Sequence, residues 1–274
     1  MTVNQYLSQI ESLKGRKVAL TGGTSGVGLA LFKHLINKGA FVILLSRNID
    51  LAEELKSTFP NVDVIEYDQS NTAKIDKAIN ELLIKHPDVD TIVLNAGSLA
   101  DKRIIENGYN GTMMVNYIGA RHFIDSISPR LTNHVRFVVQ GSIVAGSKVK
   151  KSVDLTKKRG TFSTYNLSKA YLESYIYKLY VDNRYPNLEY VITEPGICST
   201  NIIRNFNVIT RFLGKYFLKF FFHSPKKASL SLLLGISSKS SNGDYIVPRG
   251  LFTLSGFPKI KSLPQNRRRP YLFE

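Results

Sequence analysis

Short apolar runs alternate with longer amphipathic segments along most of the chain. The runs are Lys17–Thr21 (KVALT), Phe41–Ser46 (FVILLS), Val62–Tyr67, Thr91–Leu94, Val135–Gln140 and Glu189–Glu194. They are continuous rather than alternating, as in strands buried on both faces. Between them, Gly26–Lys38 places Val27, Leu29, Leu31, Leu35 and Ile36 at helical spacing. A second helix is expected from Asn48, its cap, to about Thr58, ended by Phe59–Pro60. Further helices are expected over Thr72–His86, stopped at Pro87, over about Tyr109–Ser128, and over Tyr165–Asn183. Such alternation implies right-handed crossovers and a parallel sheet covered by helices on both faces. The expected class is α/β, one doubly wound sheet of about seven strands, the last at Asp244–Val247. Gly250, Gly256 and Pro258 predict an ordered irregular segment after it. The chain reads as one domain over residues 1–274, with an excursion near 201–223 and a C-terminal extension over 248–274.

Composition narrows the chemistry. With 43% hydrophobic residues the chain has ample material for a core, which excludes a disordered protein. One cysteine, Cys198, excludes an internal disulfide framework and a multi-cysteine metal site. The five histidines (His34, His86, His122, His134, His223) lack metal-ligand spacing, so no metal site is expected. The net charge of +16 points to an anionic partner. No helix-turn-helix, zinc-finger or RNA-binding signature accompanies it, so nucleic acid is not expected. The polar N-terminal stretch lacks a signal-peptide core, and no apolar run is long enough to span a bilayer. The default compartment is the cytoplasm.

After the first strand stands Thr21-Gly22-Gly23-Thr24-Ser25-Gly26-Val27-Gly28, immediately before a helix. Glycines there allow a tight turn and bring backbone N–H groups and a helix N-terminus close to a pyrophosphate. The spacing Gly-x3-Gly-x-Gly, behind Thr21, resembles the short-chain dehydrogenase/reductase superfamily. Other landmarks follow in order: Asp68 after the third strand, Asn95-Ala96-Gly97 after the fourth, Asn116 on the long helix, and Ser142 after the fifth. Tyr165-x-x-x-Lys169 and Pro195-Gly196 with Thr200 complete the set. The resemblance covers nearly the whole chain, is nearest the retinol-dehydrogenase-like branch, and implies a Rossmann-type fold.

It also implies a nicotinamide cofactor held by Thr21, Gly22, Thr24, Ser25, Gly26, Val27 and Gly28. Asp68 and Gln69 would serve at the adenine, and Asn95, Ala96, Gly97, Tyr165, Lys169, Pro195, Gly196 and Thr200 further in. The end of the second strand, Ser46-Arg47-Asn48, has no carboxylate for a ribose hydroxyl. Arg47 can instead hold a 2′-phosphate, so NADP(H) is expected over NAD(H), with Arg47 and Asn48 at that end. Tyr165 and Lys169, four apart on a helix, share a face, and a nearby cation favours a phenolate. By resemblance Tyr165 is the general acid/base, Lys169 tunes it and binds ribose, Ser142 orients the carbonyl, and Asn116 organises a proton relay. The expected reaction interconverts a carbonyl and an alcohol.

Ser142 and Tyr165 lie 23 positions apart, with a lysine-rich insertion between them that reads as a solvated loop. In Asn205–His223, Arg211, Lys215 and Lys219 form a narrow stripe beside a wide face of aromatic and aliphatic residues. By resemblance this segment is a lid over a lipophilic substrate, and its second reading is peripheral contact with an anionic membrane. Cys198 lacks an activating base and reads as a small residue at the cleft. Arg267–Arg269 reads as a solvated tail. Relatives imply a homodimer or homotetramer. The alternative function is a nucleotide-sensing or scaffold protein that keeps the fold without turnover.

Overall fold

The computed structural model describes residues 1–99, 101, 103–105, 108–146, 149, 153–198, 224–250 and 253–273. Thr200 and the expected lid, 205–223, lie outside the described residues.

The N-terminus forms helix α1 (Val3–Leu7), closed by a capping box between Thr2 and Gln5. Then β1 (Lys17–Thr21), α2 (Gly26–Asn37), β2 (Phe41–Ser46), α3 (Ile49–Thr58), β3 (Val62–Glu66), α4 (Thr72–Lys85) and β4 (Thr91–Leu94) follow. The expected long helix is α5 (Gly111–Met113) and α6 (Gly119–Ile127), joined by a π-helical stretch over Met114–Ile118. Next come β5 (Val135–Gln140), α7 (Thr161–Asp182) and β6 (Leu188–Thr193). The chain resumes with α8 (Pro225–Ala228), α9 (Leu230–Ile236), β7 (Tyr245–Pro248) and β8 (Pro258–Lys261). Asn48 caps α3 through Leu51 N–H, as its position predicts, and Asn71 caps α4 through Lys74 N–H.

The sheet runs β3-β2-β1-β4-β5-β6-β7-β8. The strand order reverses between β1 and β4, which pair in parallel with Val18 opposite Thr91. A crevice therefore opens beyond their carboxyl ends, where doubly wound sheets bind ligands. Successive strand residues feed different cores, because side chains alternate across a strand. Val18 and Leu20 join α2 residues Leu31, Phe32 and Leu35 in one layer. Ala19 joins Tyr117, Phe123 and Tyr175 in the other.

Three expectations change. The segment after β7 is not irregular throughout, because Pro258–Lys261 pairs antiparallel with β7 and makes an eighth strand. Helix α7 begins at Thr161, four residues before Tyr165, so the tyrosine lies inside the helix and not at its start. Arg267 and Arg269 are not solvated: they are 7% and 4% exposed. Their guanidinium groups bond main-chain carbonyls after β5, Arg267 at Ser142 and Ile143 and Arg269 at Ala145.

Candidate active site

A cleft of about 540 Å³ lies over the β1–β4 crossover. Gly22, Thr24, Ser25, Gly26, Val27 and Gly28 line it, and so do Arg47, Asn48, Asp68, Gln69, Asn95, Ala96 and Gly97. Thirteen residues chosen from separate parts of the sequence are thus brought to one wall.

The turn after β1 is built for close approach. Gly22 and Gly26 have φ of +67° and +54°, a region costly for other residues. A Cβ on Gly28 would stand 2.0 Å from the Gly22 carbonyl oxygen. Ser25 at the N-cap of α2 makes no side-chain cap bond, unlike Asn48 and Asn71 on α3 and α4. The first N–H groups of α2 therefore face the cleft without a side-chain acceptor, which suits a pyrophosphate. Gln140 Oε1, on a cleft-lining residue, is buried without a hydrogen-bond partner. This shape and donor set fit a dinucleotide.

Thr21 does not line the cleft. It is fully buried, and its Oγ1 accepts from Asn95 N and Ala96 N, both at 3.0 Å. Asn95 Nδ2 donates back to the carbonyls of Thr21 and Gly22. These bonds lock the turn after β1 to the segment after β4. At the other end, Asp68 Oδ1 accepts from the backbone and hydroxyl of Ser70, and Gln69 is held between Tyr67 and the Val115 carbonyl.

Arg47 stands exposed at the end of β2 and has no ion-pair partner among the described residues. The sequence reading missed its neighbours Asp101 and Arg103. They line the same cleft and pair with each other, Arg103 Nη2 to Asp101 Oδ2 at 2.5 Å. Arg103 holds the Asp101 carboxyl below its ordinary range, and the Arg47 charge adds to this. No signal in one sequence marks that pair, because its loop meets β2 only through the fold.

The expected catalytic residues gather beyond the inner end of the cleft. The Tyr165 hydroxyl donates to Ser142 Oγ at 3.4 Å. Lys169, one turn along α7, donates from Nζ to the Gln140 carbonyl at 2.8 Å. A Cβ on Gly97 would stand 3.7 Å from that ammonium and 3.2 Å from Asn116 Oδ1, so the cleft and these groups adjoin. Asn116 lies in the π-helical stretch, whose widened turn is frequent at functional sites. Its carboxamide accepts from Ser98 N and donates to the Ser98 carbonyl and Ser168 Oγ, pinning the segment after β4 to α7. Ser142, Tyr165, Lys169, Pro195 and Gly196 do not themselves line the cleft wall.

Electrostatics differ from the simple expectation. Burial brings the Lys169 ammonium down to about 8, with the Glu173 charge pulling the other way. Burial raises the Tyr165 phenol, the Ser142 hydrogen bond opposes this, and Glu173 and Glu194 push it further up. Burial drives Cys198 up to about 12, so its thiol is protonated at neutral pH and ill suited to attack.

A sequence profile described as short chain dehydrogenase matches residues 16–208. Among curated proteins, a fatty acyl-CoA reductase of Acinetobacter baylyi is 26% identical over 174 residues, 60% of this chain and 56% of that protein. The short chain dehydrogenase resG of Aspergillus sclerotiorum is 34% identical over 128 residues, 44% of this chain and 36% of that protein. The chain thus spans about half the length of these relatives or less. A Mycobacterium paratuberculosis protein of uncharacterised function superposes with a TM-score of 0.77 at 19% identity, over 96% of this chain and 91% of that one. A Brucella melitensis 3-ketoacyl-(acyl-carrier-protein) reductase, solved with NADH, superposes at 0.64 with 20% identity, over 83% and 93%. Pseudomonas aeruginosa RhlG, solved with NADP, superposes at 0.63 with 20% identity, over 84% and 92%. The profile match, with the glycine turn, the Asn95 segment and the Tyr165–Lys169 pair all in register, makes this chain a member of the short-chain dehydrogenase family.

Proposed function

We propose that this chain is an NADP(H)-dependent oxidoreductase that interconverts a carbonyl and an alcohol on a lipophilic molecule. One observation carries the reading: the Tyr165 hydroxyl meets Ser142 Oγ, and one turn along α7 the buried Lys169 ammonium reaches the Gln140 carbonyl next to Gly97, where a dinucleotide-shaped cleft ends. A nicotinamide bound in the cleft would supply or accept the hydride. The chain's own groups handle the proton and the geometry. Tyr165 gives its proton to the substrate oxygen in reduction and takes it back in oxidation, and Ser142 orients that oxygen. Lys169 would hold a ribose by donating hydrogen bonds to its hydroxyls and, while protonated, favours the phenolate. Gly22–Gly28 and the α2 N-terminus would hold the pyrophosphate, and Arg47 would meet the 2′-phosphate.

The lipophilic substrate class is supported by the aromatic-rich sequence at 205–223 and by the acyl-CoA reductase among the relatives. Among the described residues, no helix is long and apolar enough to cross a membrane. Peripheral contact of 205–223 with anionic lipid belongs to the same reading, and vesicle flotation at low salt tests it. Catalysis is tested by an NADPH-oxidation screen over fatty aldehydes, retinoids, steroids, quinones and diketones, with Tyr165→Phe alongside. Losing the general acid lowers turnover by about 10²–10⁴-fold. Full turnover by Tyr165→Phe overturns the assignment.

A further inference from the structure

Beneath the Ser142–Tyr165 pair lies a charged cluster that the proposed chemistry does not use. Glu173 stands two turns along α7 from Tyr165, on the same face as Lys169. Glu194 follows β6. Both are almost wholly buried, at 1% and 0% exposed. Glu173 Oε1 accepts the backbone N–H of Ser142 at 2.9 Å. A Cβ on Gly141 would stand 2.2 Å from that oxygen, so glycine at 141 is what admits the carboxylate.

The cation between them is Arg267, from the segment after β8 and outside the stretch that the family profile matches. Its Nη1 reaches Glu173 Oε2 at 3.0 Å, Glu194 Oε1 at 2.5 Å and the Ser142 carbonyl at 3.3 Å. Its Nη2 donates to the Ile143 carbonyl at 2.9 Å, and its guanidinium lies over the Tyr245 ring at 5.4 Å. One planar fork thus joins the loop carrying Ser142, helix α7, the end of β6 and β7. A lysine cannot reproduce that geometry.

We propose that Arg267 is a positioning residue of the active site: it ties the Ser142 loop to α7 and neutralises the two buried carboxylates below Tyr165. The inference rests on the reading of Tyr165 as the proton carrier. The charges that reach Tyr165 are Glu173 on its own helix and Glu194 after β6. Lys169 stands one turn along that helix, and Arg267, from the C-terminal segment, sits on both carboxylates with the Tyr245 phenol of β7 beneath it. Ser142 faces it as a neutral hydroxyl. Arg267 is the cation paired with both Glu173 and Glu194. Taking away one carboxylate therefore makes the phenolate easier to form, and taking away the guanidinium makes it harder.

The test is the ionisation of Tyr165 in NADP⁺-saturated protein, followed by NMR of ¹³C-labelled tyrosine and assigned by the signal missing from Tyr165→Phe. Glu173→Gln keeps an acceptor for Ser142 N–H and leaves the Arg267–Glu194 pair in place. It is expected to lower the Tyr165 titration by about one pH unit. Arg267→Met is expected to raise it, to reduce kcat by tenfold or more, roughly, and to leave the NADP⁺ affinity within about twofold, because Arg267 does not touch the cleft. Guanidinium ion added to Arg267→Ala restores part of the lost kcat. If Arg267→Met does not fold, Glu173→Gln alone decides. Superimposable Tyr165 titrations in wild type and Glu173→Gln overturn the proposal. Should Tyr165→Phe keep full turnover, the catalytic reading fails instead, and the two failures are told apart.

Discussion

Replacing Arg47 by alanine should change the choice between NADPH and NADH more than the affinity for either core structure. The two cofactors differ only by a 2′-phosphate, and Arg47 is the cleft-lining guanidinium without an ion-pair partner among the described residues. Arg103 is already engaged with Asp101 through two nitrogens, at 2.9 and 2.5 Å. A charge-assisted bond is worth about 1.5–3 kcal/mol when protected from water. Arg47 is exposed, and an exposed ion pair is worth at most about 1 kcal/mol. A phosphate carrying nearly two charges at about 4 Å in water raises the Coulomb figure to about 2 kcal/mol. The expected loss is therefore ~1–2 kcal/mol, or about 5- to 30-fold in Kd for NADPH. The NADH affinity should stay within about twofold. Fluorescence titration of both cofactors, in wild type and Arg47→Ala, measures this directly. Repeating it near 1 M salt should shrink the wild-type preference, since the screening length there falls to about 3 Å, shorter than that contact. Arg103→Ala is the control, and its effect on the NADPH/NADH ratio should be smaller. An unchanged ratio in Arg47→Ala, or equal weakening of both cofactors, refutes the reasoning.

Three further outcomes follow from the geometry. Gly28→Ala must push the Gly22 carbonyl and the Asn95 amide apart, since the new Cβ would meet them at 2.0 and 2.5 Å. Such overpacking costs about 1–3 kcal/mol, and denaturant unfolding together with dinucleotide titration should show lower stability and weaker binding, whereas wild-type values in both refute it. Lys169 loses its proton around pH 8 in the free protein, so the Kd for the dinucleotide should rise as pH climbs through that value. A Kd flat from neutral to strongly alkaline pH overturns the proposed hold of Lys169 on a ribose. Asp63 is held at about 2 although burial opposes this, because Lys56 and His86 bond its carboxylate. Its folded value lies below the unfolded one, so its contribution, at most about 1 kcal/mol for a pair this open to water, is present above pH 4, roughly, and is lost as pH falls toward 2. Acid unfolding of Asp63→Asn should lack that part of the pH dependence, and identical acid limbs in the two proteins exclude it.

The sheet was legible in sequence because its strands are buried on both faces. FVILLS and KVALT can hardly be anything else between amphipathic segments. The glycine turn was legible for a related reason: positive φ at positions 22 and 26 favours glycine, and only glycine fits at 28 under the Gly22 carbonyl. What escaped depends on partners far along the chain. PKIK carries no β-rich pattern and becomes a strand only because β7 offers it an open edge. RRR looks like a solvated tail until Glu173 and Glu194 are seen waiting for it, 94 and 73 residues earlier. Asp101 and Arg103 reach the cleft only through the fold, and the π-helical stretch at Asn116 leaves the hydrophobic spacing almost unchanged.

The sheet is a shared wall between two separately packed layers, and this bears on inheritance of defects. The layer holding Leu31, Phe32 and Leu35 supports α2 and so the phosphate turn. The layer holding Tyr117, Tyr171, Tyr175 and Ile176 supports the Asn116 segment and α7. A conservative core substitution loosens mainly the side it packs on, because strain is passed to close-packed neighbours first. Random variants should therefore sort into two phenotypic classes by layer, one poor in cofactor capture and one poor in proton transfer. A one-residue deletion within β1 belongs to neither class: it exchanges the inward and outward sets of that strand and damages both at once.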